Sequence, residues 1–505
     1  MEQALKRLKE LDAEMQTIKG INALIEWDHH VYMPERGVQA RSEQNAFVAS
    51  LAHQKQTNPE IGDLLDKLGA SDENPLGNES LADTDRRLIR VIHRDFHQQT
   101  KIPAELVEET ARVTSVAQSV WAEARSKSDF SLFKPHLEKI VDLNLRTAEA
   151  LGYDQTPYDA LIDLYEPGIT TAQVAKVFRE LREALVPLVR EIKARPKIDN
   201  SVLRKGYPAA KQEEFSRKVL EAMHFDFKRG RLDVSVHPFT VPIAGDDVRI
   251  TTRYEEDWMP SALFGTIHEA GHALYELGFN REFFGTRLAD ATSLGIHESM
   301  SRFWENVVGR SRAFWSHFYP VLKEVFPDQL SGVDLEPFYK AINTVEPTHI
   351  RVEADEVTYS LHVILRFELE RMLMDKNLKV SELPEAWREQ SKDLLGIVPE
   401  SDRDGVLQDI HWSGGMLGYF PTYALGNVYG LQFVSAMRKA VPDMDTTIRH
   451  GELLPIKKWL DENVHAPGQS KTPAELCMDI TGEPMTAKYF IEYLRTKYTD
   501  VYDLK

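Results

Sequence analysis

One cysteine, Cys477, is all the chain has, so no intrachain disulfide can form and a closed, thiolate-ligated structural zinc site is excluded. A reducing cytosol fits this scarcity without being required by it. Cys477 lies in an apolar C-terminal segment and reads as a small buried hydrophobe rather than a nucleophile. Positive charge is in short supply too: 61 Lys and Arg against 79 Asp and Glu leave a net charge of −18. Nucleic acid and anionic membrane surfaces both select basic patches, so neither is expected as a partner. No stretch reaches the ~18 consecutive apolar residues of a membrane span. The charged, amphipathic start MEQALKRLKELDAEM has no apolar signal core. Internal repeats and low-complexity tracts are also missing. The expectation left standing is a cytoplasmic globular protein. At 505 residues, 42% of them hydrophobic, it has the length of about three domains and ample material for a core.

What the chain does have is helical periodicity. Leu5, Leu8, Leu11, Met15, Ile18, Ile21 and Ile25 predict one long helix over 3–30, and 38–56 a second. The stretch 57–80, rich in Asn, Pro, Gly, Ser and Asp, reads as a polar connection. His29 and His30 are adjacent, so they face different sides of a helix and do not make a metal pair. Residues 83–196 read as nearly all helix, with Pro103 suited to a helix first turn and Pro187 expected to kink or end one. At 231 the pattern changes. RLDVSVHPFTVPI and DDVRITTRY alternate, with Leu232, Val234 and Val236 on one side and Val248, Ile250 and Thr252 on the other strand. Two short antiparallel strands about Gly245 are expected, and their free edge could pair with an extended peptide. Helical spacing then returns and ends in the amphipathic TAKYFIEYLRTKYTDVY.

The chemistry concentrates in FGTIHEAGHALYELGFNREFFGTRLADATSLGIHESMSR. His268 and His272 stand at i and i+4, one turn apart on one helix face. Two imidazoles so placed can share a zinc ion, and Glu269 between them can reach a water on it. Leu263, Ile267, Ala270, Leu274 and Leu277 form the apolar stripe roughly opposite the His pair, and Gly278 follows as a stop. Glu298 opens a second amphipathic segment, HESMSRFWENVVGR, in which Glu298, Arg302 and Glu305 share a face. A carboxylate there completes a two-His, one-Glu site with an open position for water.

His268-Glu269-Ala270-Gly271-His272 together with His297-Glu298-Ser299-Met300-Ser301-Arg302 resembles the M32 metallocarboxypeptidases, the carboxypeptidase Taq family. So do WDHHVYMP near the N-terminus, His237-Pro238-Phe239, Asp247-Val248-Arg249-Ile250-Thr251, the IRVEAD stretch at Ile350–Asp355, and GVLQDIHW at Gly405–Trp412. The resemblance thus runs over nearly the whole chain. Met300 departs from it, because the family commonly carries Gln there. What the resemblance implies is a mostly α, neurolysin- and angiotensin-converting-enzyme-like peptidase, one domain over 1–505. A deep central groove would be covered by residues 1–80, and the body over 81–505 would carry a small antiparallel sheet at about 231–254 and zinc helices at about 261–310. A homodimer fits the family.

The reaction this implies is hydrolysis of the last peptide bond of a peptide. Zinc on His268, His272 and Glu298 would polarise the scissile carbonyl, and cobalt suits the same ligands. Glu269 would act as general base. The resemblance puts Tyr423 and His411 at the oxyanion, with Tyr419 nearby, and Arg351 on the substrate's terminal carboxylate, ahead of Arg249 and Arg302. His237 and Arg249 would touch substrate or only brace the sheet. Two alternatives stay open: an endo-oligopeptidase on the same scaffold, which needs no carboxylate anchor, and a non-catalytic scaffold with a vestigial metal site. The intact Glu269 counts against the last.

Overall fold

The computed structural model describes residues 1–504. Leu8, Leu11, Met15 and Ile18 step by three or four along the first helix, α1 (Glu2–Val31), and are all buried. Helix α2 (Val38–Gln56) packs on α1 but buries none of its own residues. The stretch expected to be only a polar connection holds a further helix, α3 (Pro59–Lys67). Asn58 caps it by accepting from the Glu60 backbone N–H at 3.0 Å, and Pro59 suits its first turn. Its apolar face is only Ile61, Leu64 and Leu65, too short to stand out among turn-forming neighbours. These residues join Leu8 and Leu11 of α1 and Leu88, Ile89 and Ile92 of α4 (Asp83–Lys101) in a small core of their own. An ion triad, buried at Asp12 and Arg287 and partly open at Asp95, ties α1 and α4 to the segment around Arg287. Asp12 accepts from the Arg287 Nε and backbone N–H, each at 2.9 Å, and Arg287 also pairs with Asp95.

From 83 to 193 helix dominates as expected: α4, α5 (Ala104–Lys127), α6 (Phe130–Leu151), α7 (Pro157–Asp163) and α8 (Thr171–Lys193). Pro187 does not end its helix; it lies inside α8. Proline removes one N–H donor, and burial of Leu181, Leu185, Leu188 and Val189 around it holds the helix together.

After α9 (Ala209–Ala222) come three strands rather than two: β1 (Gly230–Val234), β2 (Thr240–Ala244) and β3 (Asp247–Thr252), in the order β1-β3-β2. β2 and β3 form the expected antiparallel pair about Gly245, but β1 runs parallel to β3. The sheet is therefore mixed, not antiparallel. Val248, Ile250 and Thr252 are fully buried, as a period of two requires. Leu232 is buried as well, yet Val234 and Val236 are 54% and 72% exposed, because the strand stops at Val234 and its inner face ends with it.

Helix α10 (Met259–Leu277) runs through the centre of the molecule and buries its expected stripe. Most of its other positions are buried too. The partly open ones, Ser261, Gly265, His268 and His272, step by four, three and four and so make one line along the helix. Helix α11 (Leu294–Arg302) crosses it at Gly271, where a Cβ would stand 2.7 Å from the Met300 carbonyl oxygen. On its other side the helix Pro421–Ala440 comes as close at Gly426, where a Cβ would stand 2.7 Å from Glu298 Cγ. Gly278 does end α10, in an ordinary right-handed conformation (φ −93°). Its lack of a side chain makes room for the ring of His465, 2.6 Å from where a Cβ would be.

The helical spacing that returns after the sheet is interrupted at the IRVEAD stretch. Arg351–Glu353 form a single 3-10 turn, and the helix begins at Tyr359. Asp355 explains the break: its carboxylate accepts from the Val357 and Thr358 N–H groups at 2.9 Å and restarts the helix after it. The last helix, Lys488–Tyr502, lies where expected. Among the described residues no helix is long and apolar enough to cross a membrane.

Candidate active site

Helices α10 and α11 bring three ligand-type side chains together. His268 Nε2 lies 3.7 Å and His272 Nε2 3.4 Å from Glu298 Oε2, and the ligand atoms of all three lie within 4.8 Å of one another. This arrangement fits a metal ion. The other nitrogen of His268 is committed, with Nδ1 2.9 Å from Glu305 Oε2, so its Nε2 lone pair is the one that faces inward. His272 stacks on His297 at 4.4 Å, and its buried Nδ1 has no hydrogen-bond partner. Two imidazoles and a carboxylate therefore converge on one space, a donor set that suits a dication.

The charges follow from the same crowding. Burial opposes ionisation of Glu298, yet the Arg302 charge and the two imidazoles hold its carboxyl well below the usual range. Burial, with His297 beside it, pushes His272 down to about 3, whereas the Glu298 charge and the Glu305 bond outweigh burial and raise His268. Arg302 Nε donates to Glu298 Oε1 at 2.6 Å and its Nη1 to Glu305 at 3.3 Å. Arg310 holds the other oxygen of Glu305 at 3.2 Å. Burial works against Glu305 as well, but the His268 bond and these two arginines bring it to about 2.

Glu305 was visible in the sequence only as a face-mate of Glu298. It reaches His268 because α11 runs on into a π-helical turn, Phe303–Val308, that rotates the chain. Such turns recur at functional sites. Thr240 of β2 was missed entirely. Its hydroxyl donates to Glu269 Oε2 at 2.6 Å and lies 2.9 Å from the Glu269 carbonyl oxygen. Glu269 is 8% exposed, and burial raises its pKa. The Met300 position has a neighbour that accounts for its setting: the buried His465, whose Nε2 lies 3.4 Å from the Met300 sulfur.

A second group assembles nearby. His411 Nε2 lies 3.2 Å from the Tyr423 hydroxyl, and burial pushes His411 down to about 4, so the ring is neutral. Tyr419 packs edge-on against Tyr423 at 5.3 Å. Arg351 lies over the Tyr423 ring at 4.8 Å and donates to Tyr359 at 3.0 Å. Tyr359, unforeseen in the sequence, also carries Arg302 on its face at 4.2 Å, and so joins this group to the ligand cluster. Asp409 holds Arg351 through Nε and Nη2 at 3.0 and 2.9 Å, and Arg366 at 2.7 and 2.6 Å. Asp409 sat inside the GVLQDIHW stretch without a role.

The structure leaves two expected residues outside both groups. Arg249 donates to Asp247 at 2.8 and 2.7 Å and lies 4.2 Å over Trp27, which ties the sheet to α1. His237 is exposed in the loop between β1 and β2. Cys477 is buried, and burial raises its thiol to about 11, in keeping with a packing role.

Comparisons with known proteins cover the same ground. Residues 7–498 match the family described as carboxypeptidase Taq (M32) metallopeptidase. The chain is 42% identical to thermostable carboxypeptidase 1 of Thermus thermophilus over 99% of both chains. It is 40% identical to carboxypeptidase 1 of Bacillus subtilis over 95% of both. Among solved structures, the M32 carboxypeptidase of Deinococcus radiodurans superposes with a TM-score of 0.96 at 40% identity, covering 99% of this chain and 100% of that one.

Proposed function

The chain belongs to the carboxypeptidase Taq (M32) metallopeptidases, and from that membership we propose how its residues divide the removal of a C-terminal residue from a peptide. The enzyme is a metallocarboxypeptidase. The assignment of each residue below is our reading, and the convergence of three ligand atoms beside the buried Glu269 carries it.

His268, His272 and Glu298 hold the metal, and Glu305 fixes the His268 ring in the orientation that ligates. The metal is zinc, with cobalt a substitute the same donors accept; when bound, it supplies the Lewis acid that polarises the scissile carbonyl. Glu269 is the general base. Thr240 occupies Oε2, which leaves Oε1 to take the proton of the attacking water and pass it to the leaving amine. A carboxyl whose pKa is raised by burial does both better than an exposed one. Neutral His411 donates to the Tyr423 oxygen, so the Tyr423 proton is free to point at the developing oxyanion.

Arg351 reads the terminal carboxylate. Three of its five N–H donors are used, by Asp409 and Tyr359, which leaves one on each terminal nitrogen for a two-point grip. Arg302 is bound to two carboxylates of the ligand cluster, and Arg249 braces the sheet. His237, exposed beside β2, is the sheet's contact for residues upstream of the scissile bond.

The protein works in the cytoplasm as a homodimer, in keeping with its single buried cysteine, and sedimentation velocity would read the assembly. Helices α1 and α2 restrict the length of substrate admitted, and kcat/KM on peptides of rising length would expose the limit. The assignment of Arg351 is tested by digesting one peptide as free acid and as amide with wild type and Arg351→Ala, with and without a chelator, and following products by mass spectrometry. Wild type should trim the acid one residue at a time from its C-terminus and barely touch the amide. Losing one side of a desolvated charge pair costs about 2–5 kcal/mol, and the mutant should scarcely tell acid from amide, since one interaction is lost once. A mutant that keeps the wild-type preference for the acid would remove Arg351 from the role. Internal fragments would favour an endopeptidase.

A further inference from the structure

Away from the catalytic centre, α4 carries a second pair of histidines at i and i+4. The His93 and His97 ring centroids are 4.1 Å apart. Asp72, in the loop between α3 and α4, brings Oδ1 to 3.8 Å from His93 Nε2 and 3.8 Å from His97 Nδ1. All three ligand atoms lie within 4.8 Å of one another. We propose that Asp72, His93 and His97 form a second site for a zinc-like transition-metal dication, which fastens the loop after α3 to helix α4.

Three observations support it. His93 is only 4% exposed, and its Nε2 has no hydrogen-bond partner. A buried nitrogen is seldom left so, because an unmade hydrogen bond is costly. Its nearest acceptor, Asp72, is too distant for a direct bond, yet 3.8 Å is a separation that a cation about 2 Å from each atom spans. The corresponding separations in the catalytic cluster are 3.7 and 3.4 Å, so the same two-imidazole, one-carboxylate donor set recurs at similar spacing, here through His93 Nε2 and His97 Nδ1. Third, the cluster opens on a cavity of about 550 Å³, through which an ion and its completing waters can enter.

The charges around the cluster permit this. Lys101 Nζ is 4.0 Å from Asp72 Oδ2, but at 44% side-chain exposure its long stem can swing into solvent. Arg90 and Arg94, which also line the cavity, are occupied by Glu475 and Asp163. Two imidazoles and a carboxylate select zinc, nickel, copper or cobalt over magnesium and calcium. The site has a structural consequence because Asp72 lies in the loop between α3 and α4, two helices that meet in the small core with α1. A metal bridging Asp72 to α4 would close that junction and add heat stability by binding only the folded form.

The test uses untagged holoenzyme with its catalytic metal in place. It is equilibrated with excess zinc chloride, desalted and assayed by elemental analysis beside His97→Gln and Asp72→Asn. Both side chains are partly exposed, 38% and 63%, so the fold should survive. Wild type should hold a second equivalent of zinc. Each variant should lose that equivalent, keep the catalytic one and keep wild-type peptidase activity. Zinc should also raise the wild-type Tm above that of either variant. A wild type that stops at one equivalent, or variants that retain the second, would overturn the site, and equal Tm values with the second zinc bound would overturn its fastening role.

Discussion

The His268–His272–Glu298 cluster and the Arg351–Asp409–Arg366 cluster are joined through Tyr359 and largely withdrawn from water, but they are satisfied in opposite ways. In the arginine cluster two cations share one carboxylate with every contact a donor on an acceptor, and one positive charge is left over. One oxygen of Asp409 takes two N–H groups from Arg351 and the other takes two from Arg366. Despite its burial, those two guanidinium charges hold Asp409 well below the usual carboxylate range. In the histidine cluster two imidazoles face one carboxylate, and His272 keeps an unpartnered nitrogen. A cluster whose donors meet acceptors holds its shape with nothing bound. An acceptor-rich one is complete only with a cation. On the proposed division of roles, the first is a platform that positions Arg351 and Tyr423, and the second is the metal site.

The sharpest way to break that contrast is to remove the shared carboxylate. Asp409→Ala strands two buried guanidinium groups, and breaking such a buried pair costs about 3–5 kcal/mol. Urea denaturation should show a loss of that size, and an unchanged midpoint would mean the platform is not held as described. His268→Ala, by contrast, should lose metal while the metal-free fold keeps most of its stability. A smaller effect is expected at Glu305. Glu305→Gln keeps the shape but weakens the hold on His268 Nδ1, and partners of this kind are worth about 10–100-fold in metal affinity. Chelator competition should read that loss, and wild-type affinity would show that the Glu305–His268 contact is incidental. The smallest effect is at Met300. His465 Nδ1 is 2.8 Å from Asp461, so the proton of the neutral ring goes there and the Nε2 lone pair faces a sulfur that cannot donate. Met300→Gln brings an amide donor to that lone pair, a gain of about 1 kcal/mol for one hydrogen bond. A lower denaturation midpoint would show that the site cannot accommodate the amide.

Legibility in the sequence followed the distance over which each feature is built. His268, Glu269 and His272 lie within one helical turn and a half, so spacing alone aligned them, and the open line Ser261–Gly265–His268–His272 agrees. Glu298 was reachable because its own segment shows a polar face. Thr240 meets Glu269 across 29 residues, and Arg366 meets Asp409 across 43; no local pattern announces such a meeting. Strand alternation told which side of β3 faces inward, but not that β1 pairs with it in parallel. α3 was hidden by turn-forming neighbours, and the break at Asp355 depended on a side chain capturing backbone N–H groups that a continuous helix would have used. The Asp72–His93–His97 cluster was invisible for both reasons: one half lies in a loop, and the helical half is a histidine pair without a motif around it.

The most direct measurement is made on Glu269→Gln, because it separates holding the metal from using it. The amide can still accept from Thr240 and leaves His268, His272 and Glu298 untouched. Elemental analysis and turnover on a C-terminally free peptide are measured on the same preparation. The expected result is wild-type metal content with kcat reduced about 10²–10⁴-fold, the usual contribution of a positioned general base. Near-wild-type kcat at full metal occupancy would contradict the assignment of Glu269.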